Sequence, residues 1–162
     1  ENNWQQYAQA FIEAVKNENQ AKTVSFFRFE DLRVYDKALD YFVWTMQQTQ
    51  TASEFEKKVI LQPLSTSAAK VAENIAEGSA RHKPQFIQFL KDAKSAIRSC
   101  VVLSTLAYKD GVFDQSQYDQ SRETLIEMTK MVGAMIVSLQ RNGERSSGNQ
   151  SSSVDVDFNT DS

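Results

Sequence analysis

The sequence predicts an all-α protein, an antiparallel up-down-up-down four-helix bundle with an extra N-terminal helix and a disordered C-terminal tail. Along four long segments the apolar residues recur at steps of three and four, the period of a helix that buries one face. Two prolines and five glycines in 162 residues leave few places to turn a β-sheet. Short polar runs separate the segments, so consecutive helices pack most simply as antiparallel neighbours.

Three regions follow: an amphipathic helix and linker over 1–27, the bundle over 28–142, and an acidic Ser-rich tail over 143–162. In the first, Trp4, Tyr7, Ala8, Phe11 and Val15 share one face of a helix over 4–17. Asn3 and Gln6 have the spacing of an N-terminal cap, and Asn17-Glu18-Asn19-Gln20 reads as a linker. Such a helix either packs on the bundle or reaches out as a partner-binding arm.

The first bundle helix is expected over 30–49. Leu32, Tyr35, Leu39, Phe42 and Met46 form its seam, widened by Val34, Ala38 and Val43. The second spans 55–79, with Ile60, Leu64, Ala68, Val71 and Ile75 inward. Pro63 would break a helix interior, so a kink or a fresh start with Pro63 in a first turn is expected. Gly78 reads as a left-handed C-terminal cap. Pro84 suits the first turn of the third helix, which runs to about Lys109. Its inward residues are Phe86, Leu90, Ala93, Ile97, Cys100, Ser104 and Ala107, and Asp110-Gly111 turns the chain. Asp114 and Gln117 form a capping box for the last helix, whose apolar face of Tyr118, Leu125, Val132, Ile136 and Leu139 ends near Arg141.

Composition narrows the function classes. Hydrophobic residues make up 41% and charged residues 24%, as in ordinary globular chains, and the net charge is −3. Residues 28–141 hold fifteen Lys and Arg against fourteen Asp and Glu, so the acidic excess lies in the ends, Asp155, Asp157 and Asp161 included. A neutral body excludes a strongly basic protein but leaves room for a local basic face. No run approaches the ~20 apolar residues of a membrane span. Glu1-Asn2-Asn3-Trp4 lacks the start of a signal peptide, and Cys100 has no partner cysteine, so a cytoplasmic setting is expected.

Residues that could carry chemistry are few. His82 is the sole histidine and Cys100 the sole cysteine, which rules out a multi-His or multi-Cys metal site and predicts no cofactor. A Gly-rich phosphate loop is missing. Glu73 and Glu77 stand one helical turn apart and could pair as acid and base, but solvated surface carboxylates look the same. The expectation is therefore a protein that is not an enzyme.

Two motifs point further. Phe29-Glu30-Asp31-Leu32 opens the first bundle helix, and Asn74-Ile75-Ala76-Glu77-Gly78 closes the second, with Phe89-Leu90 after Pro84. Over residues 29–141 the chain resembles a family of four-helix-bundle proteins. It includes the proteins encoded in intervening sequences of bacterial 23S ribosomal RNA genes and the accessory variability determinant of diversity-generating retroelements. The resemblance implies a homopentamer around a central channel. For the retroelement branch it also implies RNA and a reverse transcriptase as partners. Members commonly carry a basic stretch ahead of the Asn-Ile-Ala-Glu-Gly motif, where residues 61–67 of this chain hold no Arg or Lys.

A basic surface must then come from elsewhere, and the candidates are Lys57, Lys58, Arg81, Lys83, Lys91, Lys94 and Arg98. Lys91, Lys94 and Arg98 follow at steps of three and four, placing them on one helical face where each phosphate contact would release counterions. Asn74, Glu77 and Gly78 are assigned structural roles, Asn74 as a hydrogen-bonding group to a loop or a neighbouring chain. The expected function is a non-enzymatic oligomeric interaction protein for RNA or a nucleoprotein partner. The alternative is a protein-only scaffold whose arm and tail recruit a partner. A hydrolase using Glu73 and Glu77 ranks third.

Overall fold

The computed structural model describes residues 25–147. The helix expected over 4–17 lies outside the described residues; of the tail expected over 143–162, residues 143–147 continue the last helix and the rest lie outside the described residues. Within them the chain forms four long helices and no strand. We label them α1 (Arg33–Gln47), α2 (Gln62–Ser79), α3 (Lys83–Lys109) and α4 (Gln115–Ser147).

A 3-10 turn, Arg28–Asp31, leads into α1, and Phe29 meets Tyr35 edge-on with ring centroids 5.1 Å apart. At the other end Gln48 donates to the Trp44 carbonyl and accepts from Gln117, tying the end of α1 to the start of α4. Ser53 and Glu56 then cap the next helical turn reciprocally. That turn, Glu54–Glu56, runs through a π-helical turn, Lys57–Leu61, into α2. Pro63 explains the change of winding. In a continuous α-helix its ring would collide with the carbonyl four residues back. Here the Gln62 amide reaches five residues back to Lys57, and Pro63 sits in the first turn of α2. The helix does not start afresh: Leu61 and Gln62 keep helical dihedrals, and the π turn takes Pro63 into one unbroken helical run from Glu54 to Ser79.

A short turn reverses the chain between α2 and α3, so the two are antiparallel. After α3, Gly111 adopts φ +78°, which lets Val112 and Phe113 donate to the Ala107 carbonyl and bury their side chains. Phe113 closes that end of the bundle against Trp44, 5.5 Å between centroids. Asp114 and Gln117 cap α4 with two 2.8 Å hydrogen bonds, as the spacing predicts. The helix continues past Arg141 to Ser147.

The core agrees with the expected faces of α2, α3 and α4. Leu64, Val71, Ile75, Leu90, Ala93, Cys100 and Val132 are fully enclosed. In α1 the expected stripe is rotated: its flanking Val34 and Ala38 are deeply buried, while its Leu32, Tyr35 and Phe42 pack only partly against the core. Val34, Ala38, Tyr41 and Thr45 are the buried residues, whereas Leu39, Val43 and Met46 are exposed. Small residues decide this: Ala38 and Thr45 let α1 approach the side of α2 that carries Ser65, Ala68 and Ala72. Buried Thr45 bonds the Phe42 carbonyl at 2.7 Å and Ser65 at 3.0 Å, so its hydroxyl is satisfied.

Gly78 is a second correction. It is helical and buried, with no left-handed backbone; among the described glycines only Gly111 has a positive φ. A Cβ there would stand 2.7 Å from Phe89 Cβ and 2.8 Å from Phe86 Cδ2, so glycine is required for the close crossing of α2 and α3.

Candidate nucleic-acid interface

α3 puts Lys83, Lys91, Lys94 and Arg98 on one side of the helix, flanking the buried row of Leu90, Ala93, Ile97 and Cys100. Lys83, Lys91 and Arg98 are exposed, and Lys94 is half-buried. Lys109, eleven residues beyond Arg98, falls on the same side and is exposed too. Sequence reasoning missed it, although eleven residues is close to three helical turns and was a usable signal. The row spans roughly 39 Å at 1.5 Å per residue.

Among the described residues the ion pairs are Lys37–Glu127, Lys57–Glu54 and Arg81–Glu77. None involves the α3 row, whose ammonium and guanidinium groups have no carboxylate partner among the described residues. Asp92, the acidic residue inside the row, accepts from Gln88 at 3.2 Å. This arrangement suits an extended polyanion better than a small ligand, because the charges follow a line along the helix.

The other expected basic residues lie elsewhere. Arg81 is held in the turn after α2: Nε donates to Glu77 at 2.9 Å, and the guanidinium stands 6.0 Å from the Phe89 ring centre. Lys57 pairs with Glu54 at 2.9 Å. Lys57 and Lys58 line a groove of about 890 Å³ together with Lys70, which sequence reasoning also missed. Phe42, Met46 and Leu61 supply its apolar floor, and Glu54 and Glu73 its acidic groups. No α3 residue lines it, so the structure separates these lysines from the α3 row.

The motif residues act locally. Asn74 Nδ2 donates to the Lys70 carbonyl at 2.9 Å, within its own helix. Glu77 is occupied by Arg81 and Glu73 faces the groove rim, so the two carboxylates share no site. His82 is exposed at the N-cap of α3 and makes no side-chain cap bond. Burial encloses Cys100 and pushes its thiol up to about 12, which keeps it protonated and unreactive. Among the described residues no three His, Cys, Asp or Glu gather as metal ligands, and no helix is long and apolar enough to cross a membrane.

No curated protein matches the chain. The family model described as 23S rRNA-intervening sequence protein matches residues 30–134, which covers α1, α2, α3 and most of α4, and the chain belongs to that family.

Proposed function

We propose that the protein is a non-enzymatic, oligomeric interaction protein that binds RNA, alone or within a nucleoprotein such as a reverse transcriptase complex. The α3 row carries this reading: five cations in line, exposed or half-exposed, and unpaired with any carboxylate among the described residues. Family membership supports an RNA-linked role, since the family is named for an intervening sequence of ribosomal RNA. A homopentamer is the assembly that the resemblance implies. Exposed Val43 on α1, Val102 and Leu106 on α3, and Ile126 on α4 supply apolar surface for it. A lone buried thiol fits a reducing, cytoplasmic setting.

The test titrates the full chain against labelled structured RNA at low and moderate salt, with mass measured in the same buffer. A pentamer has about five times the 18.4 kDa chain mass. Removing one cation that touches a phosphate lowers the log–log salt slope by roughly 0.7 to 0.9. Replacing Lys91, Lys94 and Arg98 by Gln therefore reduces it by about 2 to 3. Absent or salt-independent binding overturns the reading and leaves a protein-only scaffold, which the exposed apolar face of α1 favours.

A further inference from the structure

α1 carries a wide apolar stripe, and the bundle covers only part of it. Val34, Ala38, Tyr41 and Thr45 enter the core. Leu32, Tyr35, Leu39, Phe42 and Met46 repeat at steps of three and four, the spacing of a helix–helix seam; Leu32, Tyr35 and Phe42 pack partly against the core, whereas Leu39 and Met46 are exposed. Leu39 is 39% exposed and Met46 54%. Phe42 and Met46 also form one wall of the groove against α2. A seam of this spacing calls for a helix beside it.

We propose that residues 4–17 of the same chain are that helix, lying antiparallel to α1 over the groove. Four observations select this occupant. First, Trp4, Ala8, Phe11 and Val15 repeat at steps of four, three and four, matching the α1 seam in kind, and Tyr7 widens the face. Second, the lengths agree: fourteen helical residues extend about 21 Å, and the seam from Leu32 to Met46 spans about the same. Third, the described chain begins at the right place. Ser25 bonds Glu30, and Phe27, Phe29 and Tyr35 form a ladder of ring contacts leading to the Tyr35 end of the seam. The seven residues 18–24 reach up to roughly 24 Å, ample for a helical hairpin.

Charge is the fourth. Residues 1–18 hold Glu1, Glu13 and Glu18 against Lys16. The groove lining holds Lys57, Lys58 and Lys70 against Glu54 and Glu73. The Thr45–Ser65 bond fixes the end of α1 nearest the Lys57 and Lys58 turn, so an antiparallel helix brings Glu1 toward those lysines. Residues 1–27 precede the family match, so this would be a fifth helix added to the family's bundle.

The experiment reads Trp4 in the full chain. The difference in fluorescence between the parent and Trp4→Phe isolates Trp4 and leaves Trp44 untouched. The expected Trp4 signal is blue-shifted and shielded from acrylamide. In Leu39→Asp/Met46→Asp it moves to the solvent position, and tryptic cleavage after Lys16 and Lys22 speeds up by about tenfold or more. Circular dichroism and urea unfolding check that the bundle of the double variant stays folded; the milder Leu39→Ser/Met46→Ser serves if it does not. A solvent-like Trp4 in the parent overturns the proposal, as does a shielded Trp4 indifferent to both variants. Shielding that vanishes on dilution together with the oligomer assigns the face to a second copy and overturns docking within one chain. Loss of RNA binding in the variants without a change at Trp4 assigns the groove to RNA and overturns it as well.

Discussion

Gly78 of α2 and Phe89 of α3 approach so closely that a methyl group on Gly78 would lie 2.7 Å from Phe89 Cβ. That atom is anchored to the α3 backbone and cannot swing away, and Phe86 blocks the other side at 2.8 Å. Alanine in a helix interior gains ~1 kcal/mol over glycine in propensity, whereas overpacking a tight contact costs about 1 to 3 kcal/mol. The overpacking term wins here, since two ring-bearing side chains must both shift. Gly78→Ala is expected to lower stability by about 1 kcal/mol and Gly78→Val by more, measured by urea unfolding. A more stable Gly78→Ala would mean that α2 and α3 separate without cost.

A second prediction concerns a buried side-chain bond between α1 and α4. Tyr41 Oη and Ser121 Oγ lie 2.8 Å apart, with both residues almost fully buried. Tyr41→Phe strips a buried hydroxyl of its partner, as does Ser121→Ala from the other side. Each should cost about 1 to 2 kcal/mol. The double variant should cost less than the sum, because the second substitution removes the orphan left by the first. Additive losses in a double-mutant cycle would show that the pair contributes nothing as a pair.

How far the sequence reaches can be judged residue by residue. The inward faces of α2, α3 and α4 were legible because in each one apolar stripe runs the length of the helix, with only scattered apolar residues outside it. α1 was legible only in part: Val34 and Ala38 were placed in the stripe, but periodicity cannot choose which edge of a wide apolar stripe turns toward α2. The choice falls to Ala38 and Thr45, which matter only once α2 stands opposite. Gly78 was read as a cap because a glycine near a helix end looks the same whether it needs a left-handed backbone or the space for a neighbour. Its reason is Phe89, on the next helix. The steps from Lys91 to Arg98 made the α3 row visible. Grouping Lys57 and Lys58 with it required the rotation of a helix whose winding changes ahead of Pro63, which composition does not encode.

Alkaline pH gives a third prediction. Burial raises the Cys100 thiol from 9.0 to about 12 and raises the Tyr41 phenol in the same direction. Above pH 9 the unfolded chain therefore loses protons that the folded chain keeps, and stability falls as pH rises. The Cys100 contribution is lost between about pH 9 and 12. Urea midpoints at pH 8 and 10.5 should drop less in Cys100→Ala than in the parent. Equal drops would assign the alkaline loss to Tyr41 and other groups alone.

The acid side rests on Lys37 of α1 and Glu127 of α4. Their ion pair holds the Glu127 carboxyl below its usual range, through the hydrogen bond first and the charge of Lys37 second. A carboxylate with a depressed folded pKa contributes stability that is complete above about 4.5 and is lost as pH falls through the lower folded value. The pair lies at the surface, so salt screens it and its contribution is small. In Lys37→Gln the Glu127 titration, followed by NMR, should return upward toward the ordinary glutamate value. The decline in Tm between pH 5.5 and 3 should also be shallower than in the parent at low salt, and the difference should shrink in 0.5 M NaCl. If Glu127 titrates identically in both proteins, the α1–α4 contact is held by Tyr41 and Ser121 and the surrounding core, and the charge pair is incidental to it.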